Sequence, residues 1–187
     1  MNRLKRFPHF RQNNVSDCGP TCLRMIARYY GVDYTAEMLR RHCHVSRRGV
    51  NMLGISEGAE HIGLDTVGMK MTFSQLAEEG VFPCILYWNQ SHFVVCYGIE
   101  RDKAGSYKIH ISDPASQRLT YTREEFERCW IGRRAEDKGC GVALMLEPGE
   151  NWGKVEDEYR KNSRSILSFT RYFVPYRCMI GQLLLAM

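Results

Sequence analysis

The chain has 187 residues, which is enough for one ordinary domain with a sizeable core and a short appendage, but too few for two full domains. Its 44% hydrophobic and 25% charged residues are typical of a globular protein and argue against a disordered or collagen-like chain. The formal net charge is only +5, and the basic residues are scattered among acidic ones without aromatic interleaving, so we expect no nucleic-acid partner.

The first residues of the chain bear on the redox state of its cysteines. The first residues, from Met1 to Arg6, are mostly polar and basic and contain no apolar stretch of the signal-peptide kind. We therefore expect the eight cysteines to be thiols and not a disulfide framework. Cys43 lies between His42 and His44, but no second pair of ligands completes a tetrahedral set, so we expect no metal site.

The first predicted helix follows a turn at residues 16–20. Serine or aspartate can cap a helix, and proline is well placed in a first turn. Residues 21–30 then put apolar side chains on one face, and Gly31 supplies a stop. Cys18 is therefore expected at the N-terminus of a helix.

Three further helices are predicted before residue 81. The first two cover residues 35–43 and residues 52–62, and Gly63 ends the second. Thr72 followed by Gln75 is a capping-box pattern, which predicts a short helix that Gly80 ends. This part of the chain is expected to be mostly helical.

The pattern then changes to short runs rich in β-branched and aromatic residues. These runs predict strands at residues 84–88, 92–99, 107–112 and 142–147, separated by turn residues such as Asn89. Thr122 with Glu125 is another capping box, which predicts one short helix before the last strand. Helices followed by antiparallel strands indicate an α+β domain, with N-terminal helices packed on the sheet.

The C-terminal part has a different character. Residues 148–151 are loop-like, and residues 154–164 are densely charged. An almost uninterrupted apolar stretch then runs from Cys178 to Met187, which is about half the length that a membrane-spanning helix needs. We therefore expect a domain at residues 1–150 and, at residues 151–187, a charged linker with the truncated start of a first transmembrane helix.

Cys18 is the first candidate for chemistry. A thiolate at a helix N-terminus is stabilised by the helix dipole and by unpaired N–H groups, which is one way to make a cysteine reactive. The alternative is a small buried residue, as most free cysteines are. Cys22 lies one helical turn later, beside the apolar face, and we interpret it as a core residue. The same interpretation applies to Cys84, Cys96, Cys129, Cys140 and Cys178.

A predicted hairpin brings a base and a carboxylate together. If residues 92–99 and 106–113 pair around a loop at residues 100–105, Ile99 faces Ser106 and His92 faces Asp113. Asp113 can then accept a hydrogen bond from one imidazole nitrogen of His92 and leave the other to take a proton from a thiol.

Both residues also have plainer interpretations. His92 can be a polar residue that begins a strand, and Asp113 a turn residue before Pro114. The other histidines lack a comparable partner in the pattern and are expected at the surface or in loops; they are His9, His42, His44, His61 and His110.

Gln12 completes the candidate site. An acyl-transfer site needs hydrogen-bond donors aimed at the oxyanion, and a side-chain amide together with the N–H of the nucleophile would supply two. The alternative for Gln12 is a solvated loop residue.

Three segments resemble the motifs of the bacteriocin-processing peptidases, the double-glycine leader peptidases at the N-terminus of bacterial peptide-exporting ABC transporters. Residues 12–31, Q-N-N-V-S-D-C-G-P-T-C-L-R-M-I-A-R-Y-Y-G, resemble the cysteine motif of that family. Residues 92–98, H-F-V-V-C-Y-G, resemble its histidine motif, and residues 113–115, D-P-A, its aspartate motif. The resemblance covers about residues 1–150.

The resemblance implies a papain-like cysteine peptidase fold and cleavage of precursor peptides after a Gly-Gly pair. It implies Cys18 as nucleophile, His92 as base, Asp113 as the residue that orients it, and Gln12 as oxyanion-hole donor. The implied partners are the precursor peptide and the membrane and nucleotide-binding domains of an ABC transporter, at the cytoplasmic face of the bacterial inner membrane. No cofactor is expected in this domain, since ATP would bind only in the nucleotide-binding domain.

Two alternatives of other kinds stay open. The same catalytic residues serve papain-like amidases and acyltransferases, which differ only in the acceptor. Some related transporter domains have lost the cysteine and only dock the leader, although the joint presence of Cys18, His92 and Asp113 argues against a catalytically silent docking domain.

Overall fold

The computed structural model describes residues 7–47, 49–131 and 139–154. In this part of the chain no helix is long and apolar enough to cross a bilayer. The apolar stretch from Cys178 to Met187, for which we predict the start of a transmembrane helix, lies outside the described residues.

The helices begin at polar caps. The side chains of Thr35 and Asn51 accept hydrogen bonds from the backbone N–H groups of Met38 and Gly54, in the first turns of the helices that follow them. Thr72 and Thr122 form the two predicted capping boxes, each with both reciprocal hydrogen bonds. The described helices are α1 (Cys18–Tyr29), α2 (Ala36–His42), α3 (Met52–His61), α4 (Phe73–Glu79) and α5 (Arg123–Trp130).

The strands form one six-stranded antiparallel sheet in the order β1-β6-β2-β3-β4-β5. The strands are β1 (Leu64–Met71), β2 (Cys84–Trp88), β3 (His92–Arg101), β4 (Tyr107–Ser112), β5 (Arg118–Tyr121) and β6 (Gly141–Pro148). The α+β prediction is confirmed. The prediction of a mostly helical chain before residue 81 was wrong, because β1 lies there between α3 and α4.

The sheet is covered on both faces, and each face has its own core. Ile85 and Phe93 point to the face covered by α1, α2 and α3, whereas Leu86 and Val94 point to the face covered by α4 and α5. Successive residues of a strand alternate between the two faces. Because both faces are covered here, the sequences of β2 and β3 are continuous apolar runs. The nucleophile candidate therefore lies on a helix and the base candidate on the sheet beneath it.

The β3–β4 hairpin has a different register from the predicted one. Ile99 pairs with Ile109 and not with Ser106, and Arg101 pairs with Tyr107 across a loop at residues 102–106. A bulge lies between Cys96 and Gly98, and on the other side of it Val95 pairs with Ser112. The prediction that His92 lies directly opposite Asp113 was therefore wrong.

The segment before α1 contacts strands β3 and β4 on the face of the sheet that α1 covers. The ring of Phe7 stacks on that of Tyr97 with centroids 4.7 Å apart. His9 Nδ1 and Ser112 Oγ share a hydrogen bond of 2.9 Å, and the backbone N–H of Gln12 donates to the Pro114 carbonyl at 2.9 Å. These contacts hold the residues before Cys18 next to the end of β4.

Candidate active site

Cys18 is the first residue of α1, as the sequence predicts. The side chain is buried, with 6% of the residue exposed, and a short 3-10 turn (Val15–Asp17) leads into the helix. The unpaired N–H groups and the positive end of the helix dipole lie at this point. Cys22, one turn later, is fully buried and donates from Sγ to the Phe93 carbonyl at 3.4 Å, which confirms it as a core residue.

His92 and Asp113 form a close hydrogen-bonded pair. His92 Nε2 donates to Asp113 Oδ1 at 2.8 Å, and each side chain is about four-fifths buried. The Cys18 side chain lies close enough to the imidazole to raise its pKa, and Nδ1 is the ring nitrogen left for it because Nε2 is hydrogen-bonded to Asp113. The structure thus brings together three of the four predicted site residues.

The surroundings of the imidazole favour its charged form. Burial lowers the pKa of His92, but the hydrogen bonds to Asp113 and Cys18 and the charges of these groups raise it to about 9. Burial also raises the pKa of Asp113, and its hydrogen bonds to His92 and to the following turn outweigh this, so that its pKa lies below the usual value. At neutral pH the pair is an imidazolium beside a carboxylate.

The Asp113 carboxylate is fixed by the turn that follows it. Oδ1 accepts from the backbone N–H of Ala115 at 2.8 Å, and Oδ2 accepts from Ser116 Oγ at 3.0 Å. The backbone of Asp113 also bonds to Gln117 and Ser116. Aspartate often makes such turns, so both interpretations of Asp113 apply: it is a turn residue, and the turn aims its carboxylate at His92.

Gln12 lies in the segment held against Pro114. Its Nε2 donates to the Val15 carbonyl at 3.4 Å, which uses one of two N–H groups, and its Oε1 is buried with no hydrogen-bond partner among the described residues. No contact joins Gln12 to Cys18 in the described part of the chain, and its role as oxyanion donor stays a prediction.

Asp17 is a site residue that the sequence analysis missed. This buried carboxylate precedes Cys18, accepts from Asn14 Nδ2 at 3.0 Å and faces Arg40 Nε at 3.3 Å. It thereby ties the turn before the nucleophile to α2. The sequence analysis considered serine or aspartate here only as a helix cap, but the Asp17 side chain makes no cap hydrogen bond and bonds to Asn14 and Arg40 instead.

The remaining histidines have partners that we did not predict: His9 is hydrogen-bonded to Ser112, and the rings of His42 and His61 stack with their centroids 3.6 Å apart. His110 contacts Glu100 at 3.3 Å, and the exposed His44 contacts Glu57 at 3.4 Å. His110 lies in β4 with only 16% of its side chain exposed, so the expectation of a surface or loop position was wrong for this residue. Neither contact includes a thiol. Within residues 7–47, 49–131 and 139–154, no group of His, Cys, Asp or Glu side chains is arranged to hold a metal ion.

The amino-acid sequence and the fold were compared with those of known proteins. The sequence model of a family described as the Peptidase C39 family matches residues 6–135. The chain is 32% identical over 168 residues to the probable microcin-H47 secretion/processing ATP-binding protein MchF of Escherichia coli, which covers 90% of this chain and 22% of that protein. It is also 32% identical over 164 residues to the colicin V secretion/processing ATP-binding protein CvaB of Escherichia coli, covering 88% and 21%. The chain therefore spans about a fifth of the length of these curated relatives.

Two solved structures have the same fold. One is a double glycine motif protease from an AMS/PCAT transporter in complex with the leader peptide, with a TM-score of 0.66 and 33% identity over 76% of this chain and 92% of that chain. The other is the peptidase domain of Streptococcus ComA, a bi-functional ABC transporter, with a TM-score of 0.64 and 24% identity over 76% and 99%. At this lower identity the likeness supports the fold alone.

Proposed function

We propose that this chain, which belongs to the peptidase C39 family and is a cysteine peptidase, removes the leader from precursor peptides by cutting after a Gly-Gly pair. The observation that carries the proposal is the placement of His92, which is hydrogen-bonded to Asp113, beside Cys18 at the start of α1. The specificity is supported by the likeness to a double glycine motif protease that was solved with its leader peptide.

The first half of the reaction is formation of an acyl-enzyme. In the resting enzyme Nδ1 of His92 already holds the proton of Cys18, and the thiolate beside this imidazolium attacks the carbonyl carbon of the second glycine. The backbone N–H of Cys18 and the free N–H of Gln12 are the proposed donors to the oxyanion. The imidazolium of His92 then protonates the leaving amine, which releases the cargo peptide and leaves the leader as a thioester on Cys18.

The second half restores the enzyme. His92, now neutral, takes a proton from water, and the resulting hydroxide attacks the thioester carbonyl. The leader leaves with a carboxylate, and the Cys18 thiolate is regenerated beside the imidazolium. Asp113 keeps Nε2 protonated throughout, so that Nδ1 always faces the thiol.

The proposed setting is an ABC transporter that exports the cargo. Support comes from the two Escherichia coli relatives, which are secretion/processing ATP-binding proteins of about five times the length of this chain. We place the peptidase at the cytoplasmic face of the bacterial inner membrane, where its cysteines stay reduced. ATP would then bind in a nucleotide-binding domain outside this chain.

The selectivity for glycine is proposed to come from a narrow approach to the thiol. The sequence offers Tyr87 and Trp88 as bulky side chains close to His92. Trp88 lies on the face opposite α1, packed against Tyr121 and Phe126, and it belongs to that core. Tyr87 lies on the α1 face, where its hydroxyl donates to the Gln90 carbonyl, and it is the remaining candidate.

The test is cleavage of precursor peptides encoded near the gene, with the cut bond identified by mass spectrometry. Replacing either glycine before that bond by valine should reduce kcat/KM by about 100-fold or more, because the added branch must enter the approach to Cys18. An alanine replacement is the milder control. Processing of the valine peptides at the normal rate would refute the Gly-Gly specificity and favour a papain-like amidase of broader range.

A further inference from the structure

A groove of about 680 Å³ lies beside the start of α1. Its walls come from residues 10–14, from the first turns of α1, and from α2 with the residues that follow it. Asp17, next to Cys18, and Pro20 and Thr21, just after it, belong to the wall. Since an extended peptide advances about 3.3 Å per residue, a peptide whose scissile bond lies at Cys18 can reach this groove within a few residues.

The groove is rich in arginine. Arg11, Arg24, Arg40 and Arg41 line it, against the carboxylates of Asp17 and Glu37. We call this feature the arginine groove. The four arginines outnumber the two carboxylates, so the formal charge of the lining is positive, and a concave site with a net positive charge attracts anionic groups.

Two of the four arginines are committed to the fold. Arg24 contacts Asp33 at 3.1 Å and lies over the ring of Phe10 at 4.2 Å, so it fixes one wall of the groove. Arg40 directs Nε to the buried Asp17 at 3.3 Å, and this pair joins α2 to the turn before Cys18. Because each of these two guanidinium groups contacts a carboxylate, the two arginines fix the shape of the groove and add little to its net charge.

The other two arginines are available to a ligand. Arg41 has a loose contact of 3.7 Å with Glu37 on the same helix, and both side chains are mostly exposed, at 65% and 86%. Such pairs contribute little and are easily exchanged. Arg11 is exposed and makes no ion pair within the described residues.

We propose that the arginine groove binds acidic side chains of the precursor peptide, with Arg11 and Arg41 contacting their carboxylates. This inference rests on the proposed function, because it takes the peptide cut at Cys18 as the ligand. An anionic peptide fits better than an anionic membrane surface, because the groove is concave and continues from the residues around the nucleophile. A guanidinium can bind a carboxylate through two parallel hydrogen bonds, which gives the contact a preferred geometry.

The test measures binding without cleavage. Two fluorescent synthetic peptides carry the same amphipathic helical segment followed by Gly-Gly, with glutamates on the polar face in one and glutamines in the other. Fluorescence anisotropy with the Cys18→Ala protein should give a Kd for the glutamate peptide about five- to tenfold lower, and added salt should remove the difference. Arg41→Glu should abolish the preference.

Arg101→Glu is the matched control. It makes the same change of charge on an exposed arginine at the C-terminal end of β3. His92 is the first residue of that strand, so the two residues are about 30 Å apart. This variant should keep the preference for the glutamate peptide. Equal Kd values for both peptides, or the same loss in Arg41→Glu and Arg101→Glu, would overturn the proposal.

Cleavage of the same peptides separates this inference from the proposed function. In the protein with Cys18 intact, Arg41→Glu should raise KM for the glutamate peptide alone and leave kcat unchanged. If both peptides are cut equally well, the inference fails and the proposed function stands. If neither is cut while the preference in binding depends on Arg41, the proposed function fails and the groove still binds acidic peptides.

Binding to phosphatidylglycerol vesicles that depends on Arg41, without a preference between the peptides, would identify the groove as a lipid contact and overturn the proposal.

Discussion

His92 bonds to Asp113 through Nε2 and faces Cys18 with the other side of its ring. These two contacts determine how much activity each substitution should remove. Cys18→Ala and His92→Ala should each reduce kcat/KM by about 10⁴-fold or more, and the double variant should lose no more than either one, because they act as a unit. Asp113→Asn should keep about 10- to 100-fold more activity than Cys18→Ala, since Asp113 orients and does not react. Steady-state cleavage of one precursor peptide measures all four.

Cys22→Ala is the matched control for the nucleophile. Cys22 lies one turn from Cys18 on the same helix and is fully buried against Phe93. Its replacement should lower stability slightly and leave cleavage largely intact. Near-normal turnover by Cys18→Ala would refute the mechanism.

The pH dependence should follow the proton on His92. Its pKa is raised from the usual 6.5 to about 9, so the pairing of the imidazolium contributes its full stability below about pH 6.5 and loses it as the pH rises through about 9. We therefore expect kcat/KM to fall above about pH 9, together with the melting temperature. Asp113→Asn removes a carboxylate that raises this pKa, so the alkaline fall should move to lower pH.

The pH profile of kcat/KM between about pH 6 and 10 measures this shift. Arg101→Glu is a suitable control, because it changes the net charge far from the ring. An alkaline limb at the same pH in Asp113→Asn as in the original protein would contradict the assigned role of the carboxylate.

The contact between His92 and Asp113 was predictable even though the register was not. The predicted register pairs Val95 with His110, whereas Val95 pairs with Ser112. A displacement of two residues keeps every side chain on its face, and diagonal neighbours are still within reach of a long side chain. The bulge after Cys96 had a signal that the sequence analysis did not use, because Gly98 lies inside the predicted strand and an isolated glycine within a strand often marks a bulge.

At the scale of the elements, the predictions succeeded where a local signal was strong. The two capping boxes, the mostly buried β2 and the alternating β4 have the predicted positions, since caps and the spacing of apolar residues act locally. The sequence analysis missed β1 and β5. Both are edge strands with many exposed residues, so their pattern is only weakly apolar.

Two glycines that end helices offer a comparison at this scale. Gly31 after α1 and Gly63 after α3 both have positive φ, at 95° and 87°. A Cβ on Gly31 would meet no atom within 4 Å, whereas one on Gly63 would lie 2.4 Å from the Asn151 backbone. Gly31→Ala should cost about 1–2 kcal/mol from backbone strain alone, and Gly63→Ala about 2 kcal/mol more.

Urea denaturation of both variants measures this difference. The extra cost at Gly63 arises because a Cβ there would collide with the backbone of Asn151. Backbone atoms cannot move aside as easily as the end of a flexible side chain. Equal destabilisation of the two variants would show that crowding by Asn151 is relieved at no cost.

At the scale of the whole molecule, the site depends on the packing of two layers. Cys18 lies on α1, and His92 and Asp113 lie on the sheet and the turn after it. The core between the layers, including Ile26 of α1 and Val95 of β3, sets the distance from the thiol to the imidazole. Residues remote in sequence must pack together before the site exists, which is why sequence patterns could name its members but not their geometry.

The C-terminal limit of the folded unit is the last prediction. The sequence analysis sets the boundary at residue 150, but the half-buried Trp152 packs edge-on against Tyr30 and Tyr34, with centroids 6.1 and 6.3 Å away. A chain shortened to residues 1–154 should therefore keep the stability of the original protein and its cleavage activity. A chain of residues 1–150 loses the indole and about 1–2 kcal/mol, so its Tm should fall by roughly 3–8 °C.

Calorimetry of the two shortened chains measures this difference, and Trp152→Ala in the longer one is the control. That variant should reproduce most of the loss, because it removes the ring and keeps the backbone of Asn151 beside Gly63. Equal melting temperatures for the two shortened chains would mean that the ring adds nothing and that the unit ends at residue 150. A chain of residues 1–154 that melts well below the original protein would instead extend the folded unit into residues 155–187, because the lost stability would have to come from contacts made by those residues.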